Sequence, residues 1–211
     1  MKLKNTITTT LAVLTATAIL LLLVRTKSSV SRVNPSITDA PVNRTNLSLV
    51  GGHLCRSGQT NAFTGIMIEN ASDGSLRSRS MISNGWLHGL SEGWHTNGQL
   101  QVTEHFKESV SHGIRTKWYP NGTKLSEGMI VDGMFHGTFR RWSDSGALAE
   151  QIEFVSGQPD GMAVAYFESG FLKTRAIMLA GKVIEQASWK DGENKETVAE
   201  RSVKTSPAKA F

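Results

Sequence analysis

The sequence predicts an all-β fold, built of tandem 24-residue β-hairpin repeats stacked into an elongated antiparallel meander and preceded by one N-terminal transmembrane helix. Three observations carry this reading. Glycine recurs with a fixed 24-residue step, large apolar residues keep the same step, and a 20-residue stretch without charge lies near the N-terminus. A fixed internal period of this size is the mark of a repeat architecture.

Taken in order, Asn5 to Val24 carries no charge and Ile19–Val24 is wholly aliphatic. Such a run is long enough to cross a hydrocarbon core as a helix, so 1–25 reads as a membrane anchor. A cleaved signal peptide is the alternative, with Ser29-Val30-Ser31 as its candidate site. Arg25 and Lys27, directly after the apolar run, favour the uncleaved anchor. The short N-terminal tail points to a repeat domain outside the cytoplasm. Residues 26–50, rich in Ser, Asn and Thr with Pro35 and Pro41, read as a flexible linker.

The repeat domain spans 51–192, with units starting near 65, 89, 113, 137 and 161. One glycine series is Gly65, Gly89, Gly113, Gly137 and Gly161, and a second is Gly74, Gly98, Gly122, Gly146 and Gly170. A third runs Gly85, Ser109, Gly133, Gly157 and Gly181. Aromatics follow at Trp94, Trp118, Trp142 and Tyr166, and apolar residues at Ile82, Phe106, Ile130, Phe154 and Met178. Asn97-Gly98 and Asn121-Gly122 are the preferred central pair of a two-residue type I′ turn. A second turn is expected near Asp132-Gly133 and Ser156-Gly157, which gives two short strands per unit. Ten strands spaced by about 4.8 Å would form a rod roughly 50 Å long. A strict two-residue turn puts Trp94 and Phe106 on opposite faces of the sheet, and a longer turn puts them together. Leu125 sits one residue later than Leu100, Leu148 and Leu172, so a local bulge is expected in that unit. Val183–Gly192 resembles a last strand, and 193–211 reads as a disordered tail.

The pattern Gly89, Trp94, Asn97-Gly98, Leu100, Phe106 and His112-Gly113 resembles the bacterial variant of the MORN repeat, which occurs in antitoxins of the YwqK type. The likeness covers about residues 51–192, and Phe63-Thr64-Gly65 looks like the start of such an array. It implies β-hairpin repeats that bind proteins or lie near membranes. An antitoxin neutralising a partner toxin is one function that it implies.

Charge and chemistry narrow the function further. Residues 1–33 hold Lys2, Lys4, Arg25, Lys27 and Arg32 and no acid, whereas 65–192 holds 12 basic and 14 acidic residues. The net charge of +5 therefore belongs to the anchor region, and no nucleic-acid partner is expected. Cys55 is the only cysteine, which excludes an intramolecular disulfide. Gly89-Leu90-Ser91-Glu92-Gly93 fits the nucleophile-elbow pattern, but Arg115, Phe139 and Ala163 replace the serine in later units. His88, His112 and His136 recur before repeat glycines, and a turn role suits them better than a metal, whose ligands must converge more closely than sites two strands apart. Asn121-Gly122-Thr123 is a glycosylation sequon that the turn already explains. Trp94, Trp118, Trp142 and Tyr166 serve packing first, with a binding platform as the alternative. The expectation is a non-enzymatic, membrane-anchored scaffold that mediates protein–protein interaction, with no cofactor, metal or small-molecule substrate. A lipid- or envelope-surface module and a hydrolase built on Ser91 are the other readings.

Overall fold

In the computed structural model the described residues are 40–194. The anchor segment, most of the linker, and the tail from 195 lie outside the described residues. Among those described, no helix is long and apolar enough to cross a membrane. The described chain is all-β, apart from one 3-10 turn at Arg44–Asn46.

Its strands, in chain order, are β1 (Val42–Asn43), β2 (Leu47–Val50), β3 (His53–Arg56), β4 (Gly65–Asn70), β5 (Leu76–Ser83), β6 (Trp86–Trp94), β7 (Leu100–Lys107) and β8 (Val110–Ser111), then β9 (Gly113–Trp118), β10 (Lys124–Val131), β11 (Met134–Trp142), β12 (Leu148–Val155), β13 (Gln158–Tyr166), β14 (Leu172–Leu179) and β15 (Lys182–Ser188). From β4 to β15 neighbours in sequence are neighbours in a 13-stranded sheet, with β8 continuing beside β7. This is the expected antiparallel meander. At its N-terminal edge β1 pairs with β4 in parallel, and β2–β3 forms a separate hairpin. Strands are thus present within the stretch read as a linker, where Val42 and Leu47 are buried. They pack with Leu54, Phe63 and Ile82 into a small core that closes the first unit. The β2–β3 hairpin is tied down by Leu54 N–H donating to the Gly85 carbonyl and by Phe63 N–H donating to Leu54.

The type I′ geometry expected at Asn97-Gly98 is not found there. At Asn97-Gly98 only the glycine has positive φ, +82°. His95 N–H donates to Gln99 O and Gly98 N–H to His95 O, which closes a three-residue loop. This is a type I turn followed by a left-handed glycine. Tyr119–Thr123, Ser143–Ala147 and Phe167–Phe171 repeat it. The asparagine serves through its side chain: Asn97 Oδ1 accepts from Gln99 N–H at 3.1 Å, and Asn121 Oδ1 from Thr123 N–H at 2.9 Å. The type I′ pairs lie at the other end of the hairpins, where Asp132 (φ 49°) and Gly133 (φ 81°) join Val131 to its partner Met134. Ser156-Gly157 and Ala180-Gly181 follow the same geometry, and Glu108-Ser109 adopts it without any glycine.

The strand bodies nevertheless keep the register that a two-residue Asn97-Gly98 turn would set. Gly89 faces Phe106 and Gly93 faces Val102, but Trp94 faces Leu100. Gln101 is left without a partner and absorbs the extra loop residue as a bulge. The same bulge falls at Arg77, Leu125, Ala149 and Lys173. What the sequence suggested as one irregular unit at Leu125 is a feature of every unit. Trp94 and Phe106 therefore stand on opposite faces, because side chains alternate along each strand.

Hydrogen bonds tie each unit to the next. At the type I′ ends, Gly85, Ser109, Gly133, Gly157 and Gly181 donate N–H to the carbonyls of Phe63, Leu87, Ser111, Phe135 and Pro159, each at 2.8 Å. At the opposite ends, Asn97 Nδ2 donates to Pro120 O at 2.7 Å and Asn121 Nδ2 to Asp144 O at 2.9 Å. His95 Nε2 and Tyr119 Oη, one unit apart, donate to the Trp118 and Trp142 carbonyls. A hairpin alone is marginal in water; these unit-to-unit bonds, with the packing below, let the array stand.

Candidate interaction surface

Each face of the sheet has its own apolar system. On one, the rings of Phe135, Phe139 and Phe154 meet edge-on or tilted, with centroids 5.2 to 6.2 Å apart. Gly128 makes this possible, since a Cβ there would lie 3.0 Å from the Phe135 ring. Glu104 and Arg115 form a salt bridge on the same face, and the Arg115 guanidinium lies 6.0 Å from the Phe135 centroid. Ile130, 1% exposed, anchors this side.

The other face carries Trp94, Trp118, Trp142 and Tyr166 as a ladder. Val164, Tyr166 and Leu172 form its buried core, with Leu148, Met162 and Trp189 against it. Trp189 is a fifth rung. The sequence hides it because β15 is shorter than β13 and its bulge spans one residue, which displaces the tryptophan from the 24-residue register. The Lys124 ammonium lies 5.2 Å from the centre of the Trp142 ring. The first three rungs are half-buried and Tyr166 is buried, so these rings pack and also reach the surface.

Beyond the ladder, towards the type I′ ends, this face leaves a run of apolar residues uncovered. Trp86, Val110 and Met134 hold equivalent positions in successive units, and Ile114, Met129 and Val155 lie beside them. Val155 and Ile114 are each 50% exposed. Strand after strand, the strip follows the direction of stacking. Its signal in the sequence is the 24-residue step from Trp86 to Val110 to Met134, which is less visible than the glycine steps because the residue type changes.

The remaining candidates stand as follows. The glycines Gly65, Gly89, Gly113, Gly137 and Gly161 all have positive φ, and the pairing with the preceding strand shifts around Gly89, Gly137 and Gly161. His88, His112 and His136 are exposed. His112 Nδ1 lies 3.5 Å from Asp132 N–H and 3.4 Å from its carboxylate. Thr64 and Asp160, at the equivalent positions, likewise accept from Asn84 and Ala180 N–H. His88 and His136 make no such bond among the described residues. No group of three His, Cys, Asp or Glu side chains able to hold a metal occurs among the described residues. Ser91 lies in mid-strand in β6, and its hydroxyl is 2.7 Å from that of Ser80, its cross-strand partner. The strand-to-helix corner of a nucleophile elbow is not formed there. Asp73 is held below the ordinary carboxylate range by hydrogen bonds from the Ser75 hydroxyl and amide.

Residues 87–108 and 111–132 each match the MORN repeat variant. The chain therefore carries MORN-like repeats across 87–132. The two matched stretches are consecutive units of the array and share its turn and strand pattern with the unmatched ones. No curated protein matches the chain. Among solved structures, a mutant of S. aureus TarM in complex with Fondaparinux, alpha-GlcNAc-glycerol and UDP is similar over 46% of this chain and 19% of that one. The identity is 11% and the TM-score 0.31, so this chain spans about a fifth of that protein's length.

Proposed function

We propose that this chain is a non-enzymatic scaffold that holds a protein partner along its ladder face, with the apolar segment 5–24 anchoring it to a membrane. The observation that supports this most is the uncovered apolar strip through Trp86, Val110, Ile114, Met129, Met134 and Val155. Contiguous exposed apolar surface of this kind marks interaction sites. The phenylalanine face offers mostly polar and charged side chains around its rings and is the internal control. Neither nucleic acid nor a small-molecule substrate is expected as a partner.

Site-specific photo-crosslinking in cells tests the reading. A photoreactive side chain at Val110 or Met134 should give an adduct of discrete mass, and one at Lys117 or Ser126, on the other face, should not. Adducts from both faces alike, or from neither, would count against it. A lipid surface is the second reading that an exposed apolar strip supports, and flotation of the purified repeat region with liposomes separates the two. Protease shaving of a C-terminally tagged full chain in intact cells reads the side of the membrane. Absence of labelling at Ser91 by a serine-reactive probe is expected.

A further inference from the structure

In the first unit Asn70 holds the place that Trp94, Trp118, Trp142 and Tyr166 fill at successive 24-residue steps. The leucines beside these positions record the difference. Leu172, between Tyr166 and Trp189, is 1% exposed, while Leu76, which pairs with Asn70, is 40% exposed. Leu100 and Leu148, flanked by aromatics on both sides, are half-buried. A second aromatic position is vacated in the same unit. In the last unit Lys173 lies over the Phe167 ring, with 5.5 Å from ammonium to centroid. The corresponding pair in the first unit is Arg77 and Ala71, so this guanidinium has no ring to cover. Arg77 is exposed and makes no hydrogen bond or ion pair among the described residues. Between these residues lies a shallow cavity of about 150 Å³, walled by Ala71, Leu76, Arg77, Trp94, His95 and Thr96.

We infer that this notch is a binding site for an aromatic side chain carried by a protein partner, which takes in trans the place that the repeat's own aromatics take in cis. Leu76 supplies the apolar floor, Trp94 an aromatic wall and Arg77 a cation for the face of the incoming ring. Offset or edge-to-face ring contacts and a cation over a ring each favour an aromatic over an aliphatic guest. The notch is at the three-residue-turn end of the strands and the apolar strip is at the other. The inference deepens the scaffold reading by naming a partner chemistry, and crosslinking at Val110 tests the scaffold reading without reference to the notch.

The test uses the full chain, isotope-labelled and followed by NMR, with three blocked pentapeptides that differ only at a central tryptophan, leucine or alanine. The tryptophan peptide should shift the amides of Ala71, Leu76 and Thr96 in a saturable way, and bind roughly tenfold more tightly than the leucine peptide, a difference of about 1.4 kcal/mol. Asn70→Trp, which fills the notch from within, should abolish these shifts and raise the melting temperature. Asn70→Ala should leave them unchanged. Arg77→Gln should weaken binding by about two- to fivefold. Equal binding of the leucine peptide, shifts spread over all units, or undiminished binding by Asn70→Trp would overturn the assignment.

Discussion

At the scale of single residues, the turns separate two demands on glycine. Gly74 and Gly85 have similar positive φ, 84° and 79°, but a Cβ on Gly74 meets nothing within 4 Å, whereas one on Gly85 would lie 2.7 Å from His53 Cβ and 3.0 Å from the Leu54 amide. Gly74→Ala should cost about 1 kcal/mol from backbone strain alone, and Gly85→Ala clearly more, because the β2–β3 hairpin must move. Thermal or urea unfolding of the two variants checks the order. Ser109 is a related case, at φ 65° in a turn without glycine. Its hydroxyl accepts from Leu87 N–H at 3.0 Å. Ser109→Ala keeps the strain and loses the bond, for a cost of about 1 kcal/mol, while Ser109→Gly loses the bond and relieves the strain and should be near neutral. Asp73 adds a pH term. Its carboxyl is held below the ordinary value of 3.8, so its contribution is present above that value and is lost as pH falls through the lower folded one. Asp73→Asn should flatten that part of the acid-unfolding profile.

At the scale of elements, the hairpin explains what could be read in advance. The 24-residue step, the two strands per unit and the position of the turns within the repeat units follow from glycine and aromatic spacing. Turn type did not, because Asn-Gly suits two geometries and only the closing hydrogen bonds choose between them. Here the choice follows from what asparagine does with its amide, which accepts within its own loop and donates to the loop of the next unit. Asn97→Asp retains the acceptor and loses the donor, so it should destabilise the array less than Asn97→Ala. A double-mutant comparison with Asn121 should show near-additivity, since the two act on different unit boundaries. The bulge at Gln101 was hidden for the same reason: it exists to reconcile a three-residue loop with a two-residue register, and neither half of that conflict is visible in residue types. The apolar strip and Trp189 escaped because one changes residue type and the other leaves the 24-residue register.

At the scale of the whole molecule, equivalence between units makes the array divisible. Removing residues 113–136 as one block joins positions that already have the same register and turn chemistry. The shortened protein should still fold and unfold cooperatively, with lower stability, as repeat arrays do. Circular dichroism and thermal melts of this deletion, beside one that removes only 12 residues, check it; the shorter cut puts ladder residues on the wrong face and should not fold. Ile130→Ala, at a fully buried site in the middle of the array, should cost about 2–5 kcal/mol.

The bonds from Gly85 to Phe63, and from each equivalent turn to the carbonyl 22 residues before it, all point backwards along the chain. Each of these turns closes on a residue made before it, and the bonds that run forward, such as Asn97 to Pro120, reach no further than the next unit. A nascent array can therefore assemble in the order of its synthesis, on an N-terminal cap that leaves the ribosome first. Newly made strands dock on the last edge as each hairpin emerges, and loop-closure entropy stays small and constant however many units follow.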